Sequence, residues 1–220
     1  MFCAGISAQE FYDLTDAYLQ NSLFDSGYNY DASQTGNVAQ ELLPVDGWTA
    51  DHTADYTIVG VYQIGTKKTY NGAAIPARNS EDTTDGGVLA LSTGWGQSLV
   101  LKQTVTLPAG TYKLVAAYYN GDAAQSSGTS LLGWKPTTGS AIMSRVSSFT
   151  PGQWITDEIT FTLATNRAGS IQIGFKGAAG SSASSAKIAV DYVKLLRTTP
   201  YGEADLTTYK TKLNTLIKNA

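Results

Sequence analysis

Residues 98–120, SLVLKQTVTLPAGTYKLVAAYYN, alternate apolar and polar side chains on both sides of a Pro-Ala-Gly turn, and this constrains the fold more than any other feature of the chain. A two-residue period places successive side chains on opposite faces of a half-buried strand. Leu99, Leu101, Val105 and Leu107 fall on one face, with Gln103 as the one polar intruder; Tyr112, Leu114, Ala116 and Tyr118 follow after the turn. Proline presets φ and glycine accepts either sign, so the pattern predicts a β-hairpin.

The same period recurs downstream in WITDEITFTL (154–163; Ile155, Ile159, Phe161 and Leu163 inward), SIQIGFK (170–176) and AKIAVDYVKLL (186–196), and upstream in YTIVGVYQIG (56–65) and GVLALS (87–92). About eight strands separated by turn signals, with no helix between them, predict an all-β protein, an antiparallel β-sandwich of jelly-roll type. The ends differ. Residues 9–24, QEFYDLTDAYLQNSLF, suggest a short helix. Residues 203–220, EADLTTYKTKLNTLIKNA, space Leu206, Tyr209, Leu213 and Leu216 at three and four residues, with Asp205 placed to cap a short C-terminal α-helix. The expected organisation is a residual signal-peptide segment at 1–9, a sandwich at 10–198, and a linker with an amphipathic helix at 199–220 that opens a downstream helical domain.

Composition excludes several classes. The 220 residues hold 15 Lys and Arg against 18 Asp and Glu, with no basic run, so nucleic acid is not an expected partner. A single cysteine, Cys3, and a single histidine, His52, leave no intrachain disulfide and no Cys/His zinc cluster. No stretch reaches transmembrane length, so membrane insertion is not expected. MFCAGISAQE reads as the tail of an export signal with a small-residue cleavage site near Ala8, which predicts a secreted, periplasmic or cell-surface protein.

Three quoted stretches, NSLFDSG (21–27), DGW (46–48) and AVDYVKLL (189–196), resemble the bracketing motifs of galactose-binding-like jelly rolls, the superfamily of many carbohydrate-binding modules. The middle, including LALSTGWGQSLVLKQTVTLPAGTYKLVAAYYN and GTSLLGWKP, is similar to secreted modules of gut Bacteroidetes that often precede small helical repeats. The resemblance implies a structural calcium held through Asp25 and Asp191 with loop carbonyls, and no organic cofactor; Tyr192 replaces the second aspartate of the usual closing motif. Such a fold hosts many ligands, so the site must be argued from its residues.

For catalysis, His52 lies in TADHTADYT without a nucleophile motif nearby, and the acidic residues of NSEDTTDGG (Glu81, Asp82, Asp85) and TDEIT (Asp157, Glu158) read as solvated. A glycan binder asks for less: an aromatic face and a few convergent polar groups. Trp48 reads as packing and Trp154 as covering a sheet edge or docking the terminal helix. Trp95 in TGWGQS and Trp134 in LLGWKP, with Gln97, Lys135, Tyr119 and Asn120, form the candidate ligand-binding set; each tryptophan is either an exposed platform or a core lid. The expected function is a non-catalytic, carbohydrate-binding accessory module of a glycan-degrading protein, with polysaccharide as partner. The alternatives are a cell-surface adhesion module that binds protein, and a β-sandwich glycoside hydrolase or polysaccharide lyase.

Overall fold

The computed structural model describes residues 10–29, 40–51, 57–64, 75–78, 86–93, 96–121, 128–146, 150–177, 188–200 and 202–218. Two β-sheets face each other. One runs β10 (Trp154–Leu163), β7 (Gly110–Asn120), β12 (Ile188–Arg197), β5 (Gly87–Ser92), β4 (Thr57–Gln63) and β2 (Gln40–Leu42), with β1 (Tyr12–Asp13) also on β12. The other runs β3 (Thr49–Asp51), β6 (Ser98–Leu107), β11 (Arg167–Lys176), β8 (Thr129–Pro136) and β9 (Ile142–Ser144). Pairing is antiparallel except for the short edge contact of β2 with β4. Two helices flank the sheets, α1 (Thr15–Tyr18) and α2 (Glu203–Lys218).

The predicted inward residues form the core: Leu99, Leu101, Leu107, Tyr112, Leu114 and Tyr118 are fully buried, with Phe161, Ile171, Ile173 and Phe175 beside them. The expected hairpin does not form. β6 pairs with β3 and β11, whereas β7 pairs with β10 and β12 in the opposite sheet. The Pro-Ala-Gly turn is therefore an arch across the core. Tyr112 Oη donates to the Pro108 carbonyl at 2.8 Å, and the Ala109 amide donates to Asn166 in the next arch, between β10 and β11.

The intruder Gln103 has a structural task. Its amide accepts from the Gln20 N–H at 2.7 Å and donates to the Gln20 carbonyl at 3.0 Å, clamping the opening segment over the sandwich. Beside it Trp48 is buried against Phe24, its Nε1 donating to the Gln20 and Asn21 carbonyls, as a packing role predicts. Phe24 has φ of 55° and lies over Gly87, where a Cβ would sit 1.9 Å from the Phe24 oxygen. Only glycine allows that approach. The closing motif meets this loop at a bulge in β12 between Val190 and Val193, whose amide donates to the Ser22 carbonyl.

A second, smaller core lies on the other face of the larger sheet, where Tyr62, Val88, Ala90, Tyr119 and Ala189 pack with Ile75. Trp154 covers it, tilted against Tyr119 at 5.3 Å with Nε1 donating to the Pro76 carbonyl. Trp154 is thus a cover for this sheet and not a dock for the terminal helix.

The helix α2 is tied to the sandwich by buried charge. Arg197, at the end of β12, donates from Nη1 and Nη2 to Asp205, which also accepts from Tyr18 Oη and from the Gly202 amide at 2.6 Å. Asp205 acts from inside the first turn, reaching back to the amide that precedes the helix. The chain between β12 and α2 is held as well: the Thr198 amide donates to the Thr111 carbonyl, and Arg197 donates to the Thr199 and Pro200 carbonyls.

Candidate functional site

The outer face of the five-stranded sheet is polar because its strands alternate. Register aligns Lys135, Ser170 and Thr104 in one row across β8, β11 and β6, and Gly133, Gln172, Lys102 and Thr49 in the next. A groove of about 310 Å³ runs over these rows, bounded also by Asp51, Pro136 and Thr137. A larger hollow of about 640 Å³ lies between the sheet edge and the helices, lined by Tyr18, Gln20, Thr49, Thr207, Thr208, Thr211 and Lys212. Both are lined by Lys102 and Thr104, so they meet along β6.

Hydroxyl, amide and ammonium groups dominate this trough. Gln172 is nearly buried and its Nε2 donates to Ser170 Oγ at 3.3 Å; Lys102 Nζ lies 3.2 Å from Asp51 Oδ2. Lys212 donates to the carbonyls of Asp16 and Leu19, and burial holds its pKa down, partly offset by the Asp16 charge. Tyr18 has its hydroxyl pushed up by burial and then by its bond to Asp205. The described lining therefore offers donors to hydroxyl and acidic groups, with its one carboxylate, Asp51, paired to Lys102.

No protein-family model matches the sequence, and no curated protein matches it. Solved structures do. One is TmCBM61 in complex with β-1,4-galactotriose, 18% identical, covering 82% of this chain and 97% of that one with a TM-score of 0.50. The chain has the fold of a carbohydrate-binding-module β-sandwich. The CBM22-1 xylan-binding domain of Paenibacillus barcinonensis Xyn10C is 10% identical, covering 81% and 92% of the two chains with a TM-score of 0.46. The K2 cleaved adhesin domain of Lys-gingipain is 13% identical, covering 74% and 94% with a TM-score of 0.45. At such identities the likeness concerns architecture.

Within this module-like sandwich the predicted ligand residues scatter. Trp134 points inward and is fully buried, stacked on Phe161 with ring centroids 5.8 Å apart and planes 3° apart, so it is a core residue and not a platform. Tyr119 belongs to the second core under Trp154, and Asn120 is fully buried with its carbonyl accepting from the Gly152 amide. Both leave the ligand set: Tyr119 because that sheet's far face is covered, and Asn120 because it is fully buried on the opposite face, the side of Ala116 and Tyr118. Lys135 lines the trough, and Gln97 is exposed just before β6 with its carbonyl accepting from the Gly177 amide. Trp95 lies outside the described residues, as do His52, Glu81, Asp82, Asp85 and residues 1–9.

Asp157, read from sequence as solvated, is buried. It accepts from Ser130 and Ser144 hydroxyls at 2.6 Å each, joining β10 to β8 and β9 across the sandwich, while its neighbour Glu158 is exposed and pairs with Lys113. The signal was present but ambiguous: Asp157 shares the parity of Ile155 and Ile159.

The calcium expectation meets a cationic neighbour. Asp191 Oδ2 accepts from Arg78 Nε at 2.8 Å, and Asp25 Oδ1 accepts from the Gly87 amide at 2.8 Å. Tyr192 beside them lies under Arg78 and Lys194 at 4.9 and 5.2 Å. A guanidinium engages one of the two expected carboxylates and a backbone amide the other, and the described residues hold no group of three or more acidic, His or Cys side chains placed for a metal, so the donor set they offer falls short of the six to eight oxygens calcium takes. Addition of EDTA is expected to leave the melting temperature unchanged; a fall reversed by calcium would show that the ion binds.

Proposed function

We propose that this chain is a non-catalytic glycan-binding module of a secreted or cell-surface protein, and that the trough on the outer face of the five-stranded sheet is its site. The adjacent rows of Ser170 with Thr104 and Gln172 with Lys102 carry this reading: neighbouring hydroxyl, amide and ammonium groups on a rigid sheet suit the many hydroxyls of a sugar chain. The shared architecture supports it. Trp95 and Gln97 remain in the proposal as a stacking platform and a hydroxyl partner next to the start of β6.

Affinity electrophoresis against a panel of polysaccharides tests the reading. Gln172→Ala is expected to weaken binding ~5-fold, the loss of about one hydrogen bond. Trp95→Ala is expected to weaken it ~2- to 10-fold through lost stacking. Retention of wild-type affinity by both variants would remove the trough from the site.

One observation favours the protein-binding alternative. Leu206, Tyr209, Leu213, Leu216 and Ile217 are between 42% and 66% exposed on α2, an apolar stripe that suits a helical neighbour or downstream helical domain. Leu213→Asp would abolish such pairing in a light-scattering assay and leave glycan binding intact.

A further inference from the structure

We infer that the glycan this trough takes is acidic, a carboxylated or sulfated polysaccharide whose anionic groups meet Lys102 and Lys135. This rests on the reading of the trough as the glycan site, and four observations carry it beyond that reading.

The first is sign. The whole chain has a formal charge of -3, yet the groove over the sheet brings together Lys102 and Lys135 against the single lining carboxylate of Asp51. A local excess of positive charge on an acidic protein attracts anions into the groove. The second is availability. The Lys102 and Asp51 side chains are 39% and 60% exposed, and an ion pair in that much water is weak, so a ligand carboxylate or sulfate competes for the ammonium.

The third is spacing. Lys102 lies opposite Gln172 and Lys135 opposite Ser170, on the two strands that flank β11. Two strand spacings and a two-residue step separate their Cα atoms by roughly 12 Å. That span fits two charges carried on different sugars of one chain, with Ser170 and Gln172 between them for hydroxyls. A lone phosphate would meet only one lysine. The fourth is what the face lacks. Among the described residues, those that β3, β6, β8 and β11 turn outward include no aromatic ring; the larger apolar groups there are Val100, Leu131 and, reaching in from β9, Met143, whose sulfur lies 2.4 Å from where a Cβ on Gly133 would sit. A neutral glycan relies on aromatic stacking for much of its affinity. With stacking confined to the proposed platform at Trp95 next to the start of β6, charge-assisted hydrogen bonds are the strong contacts that the strands themselves offer.

Titration with polygalacturonate, its fully methyl-esterified form and a neutral galactan, each at low and moderate salt, tests the inference. Polygalacturonate is expected to bind at least 10-fold tighter than its ester and to weaken as salt rises; Lys102→Ala with Lys135→Ala is expected to remove that preference. Lys194→Ala, on the other sheet, is expected to leave binding unchanged. Equal binding of ester and acid without salt dependence would overturn the charge inference and leave the glycan reading standing. Equal weakening by Lys194→Ala would also overturn it, because diffuse charge would then suffice. A folded protein that binds none of these three, nor any polysaccharide on a wider panel, would sink the trough reading itself.

Discussion

Arg197→Ala will lower the melting temperature by ~10 °C and release α2 from the sandwich. The guanidinium is 5% exposed and its partner Asp205 1%, so truncation leaves a buried carboxylate without its cation. Breaking such a pair typically costs ~3–5 kcal/mol, and in a domain of this size each kcal/mol moves the midpoint by about 2–4 °C. The stem is lost too, and with it the contact of the guanidinium over the Tyr112 ring at 5.9 Å. Calorimetry gives the shift. Trypsin gives the helix: Lys210, Lys212 and Lys218 should be cut sooner in the variant. A shift under ~3 °C with unchanged cleavage would mean that the clamp does not hold α2.

The clamp also fixes a pH window. Burial raises the Asp205 pKa, but hydrogen bonds from Arg197, Tyr18 and the Gly202 amide, with the guanidinium charge, outweigh it and leave the value below 3.8. A depressed carboxyl stabilises the fold fully above its ordinary value and loses that contribution as pH falls through the folded value. Tyr18 runs the other way: burial and the Asp205 bond raise it, so its contribution is whole below 10.0 and is lost at higher pH. Arg197→Ala should therefore flatten the acid limb of the stability profile more than the middle.

Much of this architecture is legible in the sequence because burial enforces a period of two. Leu99, Leu101 and Leu107, or Ile171, Ile173 and Phe175, could be assigned inward from alternation alone. What alternation cannot tell is the partner strand. An arch and a hairpin need the same proline and glycine, so β6 and β7 read as paired although they lie in opposite sheets. The partners of polar residues were similarly hidden: Asp157 looks like a surface residue, Gln103 like a polar intruder on the inner face and Asp205 like a simple cap until the distant groups that satisfy them, the two serines, Gln20 and Arg197, are brought beside them. The proposed binding face suffered most. Tryptophan beside glycine draws attention to Trp134, while the trough is made of lysine, serine, threonine and glutamine, whose types are common on any surface.

That misdirection makes Trp134 a decisive position. Trp134→Ala should cost ~3–5 kcal/mol, as for other buried aromatic truncations, and lower the melting temperature by ~10 °C. Glycan affinity of the folded fraction should remain within ~2-fold of wild type, because the ring faces the core while Lys135 beside it faces the trough. The neighbour that admits the indole is Gly169, where an added Cβ would sit 2.5 Å from Cζ2, so Gly169→Ala should be destabilising through the same contact. Trp134→Phe separates volume from polarity. Among the described residues the buried Nε1–H of Trp134 has no hydrogen-bond partner. Phenylalanine removes that unsatisfied donor while keeping a ring against Phe161, and it should cost less than half of what alanine costs. A stable Trp134→Ala protein with lost glycan binding would reverse the assignment and put the indole back on the ligand.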